Sequence, residues 1–123
     1  VQRDLTLKNC KFIQSTSPDI NIIRVGGTVV KNTILRINSF NNVFARCAEK
    51  AFHYNGAGDC QATNNLILDT KNKSVAYIET SENIRLTDNL VLFSETIPTG
   101  FSFSSAVSST DILRENNLVQ TLH

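Results

Sequence analysis

The chain of 123 residues contains no methionine, no tryptophan, two prolines, five glycines and three cysteines. It also lacks long apolar runs. The longest, Val75 to Ile78 and Leu90 to Phe93, are four residues each, far short of the ~20 that a membrane-crossing helix needs. No membrane span is therefore expected within this segment. Nor is there an excess of one charge: twelve Lys and Arg against eleven Asp and Glu leave a formal +1. Without a basic block interleaved with aromatics, the electrostatic footprint of a nucleic-acid binder is missing. The N-terminal Val1-Gln2-Arg3-Asp4-Leu5 has neither signal-peptide character nor an initiator methionine, so a processed chain or an excised piece is expected.

The usual chemical motifs are equally sparse. Cys10, Cys47 and Cys60 form no C-x-x-C pair, which argues against a zinc or redox motif. An odd count leaves one thiol unpaired. Cys47 and Cys60 are a candidate disulfide, and the alternative is that they are small apolar residues facing a core. No nucleophile elbow and no His-x-x-x-His occurs, and Gly26-Gly27 lacks the rest of a phosphate loop. No cofactor and no metal site is implied. Asn72-Lys73-Ser74 is a glycosylation sequon.

What the chain does have is 31 Ile, Leu or Val, 23 Ser or Thr and 14 Asn, with a hydrophobic fraction of 41%. That is enough for a packed core in one domain, or in a fragment of a larger one. Five segments share one form, an alternating stretch, an Asn pair or near-equivalent, then a second short apolar stretch: Leu5–Phe12, Thr28–Leu35, Cys60–Ile67, Ile84–Val91 and Ile112–Val119. Taking the first Asn-like position of each gives Asn9, Asn32, Asn64, Asp88 and Asn116, spaced by 23, 32, 24 and 28 residues. Alternating strands at Ala51–Tyr54, Val75–Ile78 and Phe101–Ser104 precede the later copies. No window sustains a helical stripe, and the short β-branched and aromatic runs read as strands closed by tight turns.

Similar sequences recurring one repeat apart would align in parallel and in register, about 4.8 Å from one another. The expected fold is all-β: a single-stranded right-handed parallel β-helix of about five coils over residues 1–123. The Asn9, Asn32, Asn64, Asp88 and Asn116 column supplies a reason. Asn tolerates a left-handed corner, and its amide can donate to and accept from the equivalent residue one coil away, building an inner ladder. The competitor is a leucine-rich repeat, whose strand consensus two copies satisfy. Its additional apolar position falls on Gln2, Val25, Ala57, Ser81 and Ser109, of which only Val25 is a large core residue.

The segments Asn42–Cys47, Ala51–Gly56, Ala62–Asp69, Glu82–Val91 and Thr110–Val119 resemble the parallel β-helix repeats of fibrocystin-type proteins. They are similar to those of cell-surface hyaluronan-degrading proteins that share a G8 module. The resemblance covers about residues 40 to 120, within the wider pectate-lyase-like superfamily. It implies an extracellular or cell-surface structural or recognition segment of a larger protein, without established catalysis in the fibrocystin branch. Its partners would be the rest of that chain, neighbouring solenoid subunits, glycans or extracellular proteins. The wider superfamily keeps open a polysaccharide hydrolase or lyase.

The residues offer limited chemistry for such an enzyme. An inverting hydrolase needs two carboxyl groups about 6.5–9.5 Å apart. Alignment puts Asp59, Asn83 and Asp111 in one column, which leaves Asp59 and Asp111 two coils, or roughly 9.6 Å, apart. Lys50, His53 and Tyr77 could line an outer groove for a sugar ring, with Ser102 in the matching phase. Arg114 stands at an inward position held by Ala62 and Leu86 in other copies, where an unpaired charge would be costly. The first and last strands lie near the chain ends, so both edges of a roughly 24 Å stub would be open. A longer solenoid is the expectation, and a filament or coat subunit stacked end to end is the alternative.

Overall fold

The computed structural model describes residues 2–13, 23–26, 34–46, 51–70, 74–97, 102–105 and 112–122. These are all-β, and every strand pairing among them is parallel. A six-stranded sheet contains β1 (Gln2–Lys8), β4 (Ile34–Phe40), β7 (Ala57–Gly58), β8 (Gln61–Thr63), β11 (Ile84–Thr87) and β14 (Ile112–Glu115). A five-stranded sheet contains β2 (Lys11–Ile13), β5 (Val43–Ala45), β9 (Leu66–Leu68), β12 (Leu90–Phe93) and β15 (Leu118–Thr121). A four-stranded sheet contains β3 (Ile23–Gly26), β6 (Phe52–Asn55), β10 (Ser74–Glu79) and β13 (Ser102–Ser105). The chain visits these sheets in rotation, so each circuit lays one strand beside its equivalent from the circuit before.

The buried core lies on the inward side of the strands. Phe12, Phe44, Ile67, Val91 and Val119 stand in register across the five-stranded sheet, and the middle three are fully buried. Ile37, Cys60, Ile84 and Ile112 are buried along the six-stranded sheet, while β6 contributes Phe52 and Tyr54 by alternation. Phe44 stacks on Phe12 at 5.2 Å between ring centroids and meets Phe52 edge-on at 5.1 Å. Each such buried side chain contributes about 1.5–3 kcal/mol of transfer free energy. Burial also pushes the Tyr54 phenol well above its ordinary pKa.

The corners explain the asparagine content. Asn9, Asn41, Asn64, Asp88 and Asn116 all take the left-handed conformation, with φ between 54° and 57°. Asn and Asp enter this region more readily than other residues bearing a Cβ. Asp4, Arg36, Asp59 and Asn83 make a second such row, with φ between 51° and 59°.

The inner ladder runs one residue beyond the column expected from the sequence. Asn9, Asn64, Asp88 and Asn116 are exposed, whereas Asn42, Asn65 and Asn89 are buried. The backbone N–H groups of Cys10, Asn42, Asn65 and Asn89 donate to the Oδ1 atoms of Asn42, Asn65, Asn89 and Asn117, at 2.8, 3.1, 3.0 and 3.1 Å. The Nδ2 groups of these four asparagines donate to the carbonyls of Leu7, Ser39, Ala62 and Leu86. The physical division is simple. The first residue of each pair turns the backbone outward in a left-handed corner, and the second points its amide inward, where unpaired polar groups would be costly.

The register also corrects the repeat alignment. The ladder bonds span 32, 23, 24 and 28 residues in chain order, so the long interval belongs to the first circuit. Asn41-Asn42 is the equivalent of Asn64-Asn65, and Asn32 lies outside the described residues. Arg114 is in register with Leu86 as expected. It avoids the cost of burial because its side chain is exposed on β14, the outermost described strand of its sheet.

Candidate functional site

The two outer sheet faces differ sharply. On the six-stranded sheet, one outward row is Thr6, Asn38, Gln61, Arg85 and Leu113, and the next is Lys8, Phe40, Thr63, Thr87 and Glu115. Strand pairing sets successive members of each row about 4.8 Å apart, and all but Phe40 and Leu113 carry a hydrogen-bonding side chain. Thr63 and Thr87 hydroxyls lie 3.0 Å apart and hydrogen-bond across adjacent strands. On the five-stranded sheet the outward positions are nearly all apolar. Val43, Leu66, Leu90 and Leu118 form one row, and Ile13, Ala45, Leu68 and Leu92 the next.

Asp59 occupies the left-handed corner row beside the six-stranded sheet. Its exposed carboxylate accepts a hydrogen bond from Asn83 Nδ2. Next to it, Arg36 donates through Nε and NH2 to the two carboxylate oxygens of Asp4. The Asp4 hydrogen bond and then its charge raise the Arg36 pKa, and Asp59 adds to the effect. Asp59 therefore sits in a row of circuit-to-circuit polar contacts, and its column partner Asp111 lies outside the described residues.

The proposed sugar groove is reached only in part. His53 is half-buried between the fully buried Phe52 and Tyr54, as alternation requires, and its backbone is in register with Tyr77. Ser104, not Ser102, is the residue in register with Tyr77, because the pairing shifts between Ser74 and Tyr77. Lys50, Cys47 and Asn72 lie outside the described residues. Cys60 is a free, buried thiol. Its Sγ accepts from the Ile37 amide and donates to the Gly58 carbonyl, at 3.4 and 3.3 Å. Burial raises its pKa.

Sequence reasoning did not single out a cleft of about 310 Å³ at the corner following the five-stranded sheet, lined by Arg46, Asp69, Thr70, Phe93, Ser94, Glu95 and Thr96. Arg46 and Asp69 are left-handed corner residues, with φ of 57° and 51°. Asp69 Oδ1 accepts from the Ser94 backbone N–H and hydroxyl, at 2.7 and 3.0 Å. The signal was present in the sequence only as isolated polar residues following each Leu- or Phe-rich strand. Among the described residues no three His, Cys, Asp or Glu side chains gather as a metal-binding group, and no helix is long and apolar enough to cross a membrane. No protein-family model matches this chain, and no match was found among the curated proteins or the solved structures.

Proposed function

We propose that the circuits are coils of a right-handed parallel β-helix. In this reading the chain is a non-catalytic structural or recognition segment of a larger extracellular or cell-surface protein, presenting a flat face to glycans. The observation that carries it is the outward face of the six-stranded sheet, where Gln61 stands in register with Arg85, and Thr63 with Thr87, on adjacent strands. Amide, hydroxyl and guanidinium groups at regular spacing suit the closely spaced hydroxyl and carboxylate groups of a polysaccharide, and Arg offers a planar fork to a carboxylate. The side-chain carboxylates of Asp59 and Asp69 support the non-catalytic part, because each is engaged by a neighbouring circuit.

The test is to incubate the 123-residue chain with a uronate-containing polysaccharide such as hyaluronan and with neutral dextran. Retardation in affinity electrophoresis and new reducing ends are then measured. The expected result is retardation by the acidic polymer, weakened several-fold in Arg85→Gln, without chain cleavage. Cleavage that is lost in Asp59→Asn would replace this reading with a polysaccharide-degrading enzyme. Absence of retardation by either polymer would remove the glycan assignment.

A further inference from the structure

The corner that follows the five-stranded sheet gathers charged groups from three successive circuits into one cleft of about 310 Å³. Arg46 follows β5, Asp69 follows β9, and Ser94 and Glu95 follow β12. The backbone fixes the walls. The Arg46 N–H donates to the Leu68 carbonyl at 2.7 Å, and the Asp69 N–H to the Leu92 carbonyl at 2.9 Å. Asp69 is held further through Oδ1, which accepts from the Ser94 N–H and hydroxyl. Its Oδ2 has no partner among the described residues.

Among the described residues two arginines, Arg36 and Arg46, take the left-handed conformation. Arginine enters that region less readily than Asn or Asp. At Arg36 a two-pronged pair with Asp4 accompanies it. Arg46 has no such pair: among the described residues its guanidinium has neither an ion-pair nor a hydrogen-bond partner, although Asp69 and Glu95 line the same cleft. The exposed Glu95 carboxylate is equally unpaired among the described residues. Opposite charges thus border one space without closing it.

We infer that this cleft binds a small zwitterion of the α-amino-acid class. The ligand carboxylate takes the Arg46 guanidinium, whose planar fork of N–H groups matches two oxygens. The ligand ammonium has three donors and gives them to Asp69 Oδ2 and the Glu95 carboxylate. The volume lies at the lower end of the ~300–1,000 Å³ of small-molecule sites, so it holds one such molecule. Two carboxylates against one guanidinium also set a preference: a cationic ligand side chain is favoured over an anionic one. A sugar hydroxyl carries neither full charge, and charge-assisted hydrogen bonds are the stronger kind. The cleft lies apart from the polar sheet face, and the inference does not rest on the glycan reading.

Arg46 and Glu95 are exposed, so solvent screens their charges and the dissociation constant is about 1–10 mM. Titrating the 123-residue chain with lysine, glutamate or glucose to about 50 mM, followed by backbone amide NMR, covers that range. Lysine should give saturating shifts at Asp69, Thr70, Ser94 and Glu95, with glutamate binding about threefold or more weakly and glucose giving no saturable shift. Arg46→Gln and Glu95→Gln should each raise the lysine dissociation constant about threefold or more while leaving amide positions away from the cleft in place. Lysine shifts that do not saturate overturn the inference. So do glucose binding as tight as that of lysine, and lysine binding that is unchanged in both variants.

Discussion

Replacing Asn89 by alanine tests the inward amide ladder at its best-connected point. Asn89 Oδ1 accepts from both the backbone N–H and the Nδ2 of Asn65, each at 3.0 Å. Its Nδ2 donates to the Ala62 carbonyl at 2.9 Å and to Asn117 Oδ1 at 3.0 Å. Alanine removes these four bonds and strips the buried Asn65 amide of its ladder acceptor. Asn117 Oδ1 keeps the Asn89 backbone N–H, and Asn65 Nδ2 keeps the Ser39 carbonyl. Leaving a buried donor or acceptor unpaired costs about 1–3 kcal/mol, and the Asn65 backbone N–H, stripped of its acceptor, predicts a loss in that range, while the Ala62 carbonyl keeps the β8–β11 strand pairing. That is a large share of the ~5–15 kcal/mol of a typical domain. The control is the preceding residue. Asp88 is exposed with φ of 56°, a conformation glycine adopts freely, so Asp88→Gly should cost no more than about 1 kcal/mol. Urea unfolding followed by far-UV circular dichroism gives both values. A loss below about 1 kcal/mol for Asn89→Ala, or an equal loss for Asp88→Gly, would refute the division of labour between the two columns.

Alkaline stability and thiol labelling test other parts of the core. The Tyr54 phenol is raised from an ordinary 10.0 by burial, so above about pH 10 the unfolded chain gives up a proton that the folded chain retains. Stability is then fully present below pH 10 and falls by about 1.4 kcal/mol per pH unit above it. Tyr54→Phe should remove that slope in urea titrations between pH 9 and 11.5, and an unchanged slope would refute it. The Cys60 thiol, raised from 9.0 by burial, adds an earlier onset of the same sign. Exposed Cys10 and buried Cys60 should also differ in labelling: a thiol reagent at neutral pH modifies Cys10 in the native chain and Cys60 only after unfolding. Native-state modification of Cys60, read by peptide mass, would contradict its burial.

The all-β class, the parallel pairing and most strand positions were legible because they rest on local patterns repeated along the chain. Thr63-Asn64-Asn65-Leu66 and Thr87-Asp88-Asn89-Leu90 reveal their equivalence without any coordinates. The second circuit differs because Lys31-Asn32-Thr33-Ile34 imitates the motif, whereas the true equivalent, Phe40-Asn41-Asn42-Val43, is absent from the five aligned segments. The double asparagine was the discriminating signal, since a corner followed by a ladder rung needs both residues. Which asparagine turns and which bonds was not legible from residue type, because both roles suit the same amide. It depends on the direction in which the chain leaves each strand. The cleft beside Arg46 and Asp69 was hidden for a different reason: its walls come from successive circuits and share no motif.

The same physics separates what the repeats encode from what they leave free. Inward positions are held to apolar residues by packing, and Asn42, Asn65, Asn89 and Asn117 are held by the buried ladder. The left-handed corners favour Asn and Asp, and Asp59 and Asp69 bond to neighbouring circuits there. A carboxylate in such a row is explained by backbone geometry before any chemistry is invoked. Outward strand positions carry no comparable constraint. Even so, they divide into a polar face across Gln61 and Arg85 and an apolar face across Leu66 and Leu90. Fold maintenance requires no such division, because either pattern leaves the inner columns intact. These two faces, rather than the repeated asparagines, are therefore where the proposed glycan recognition would be tested.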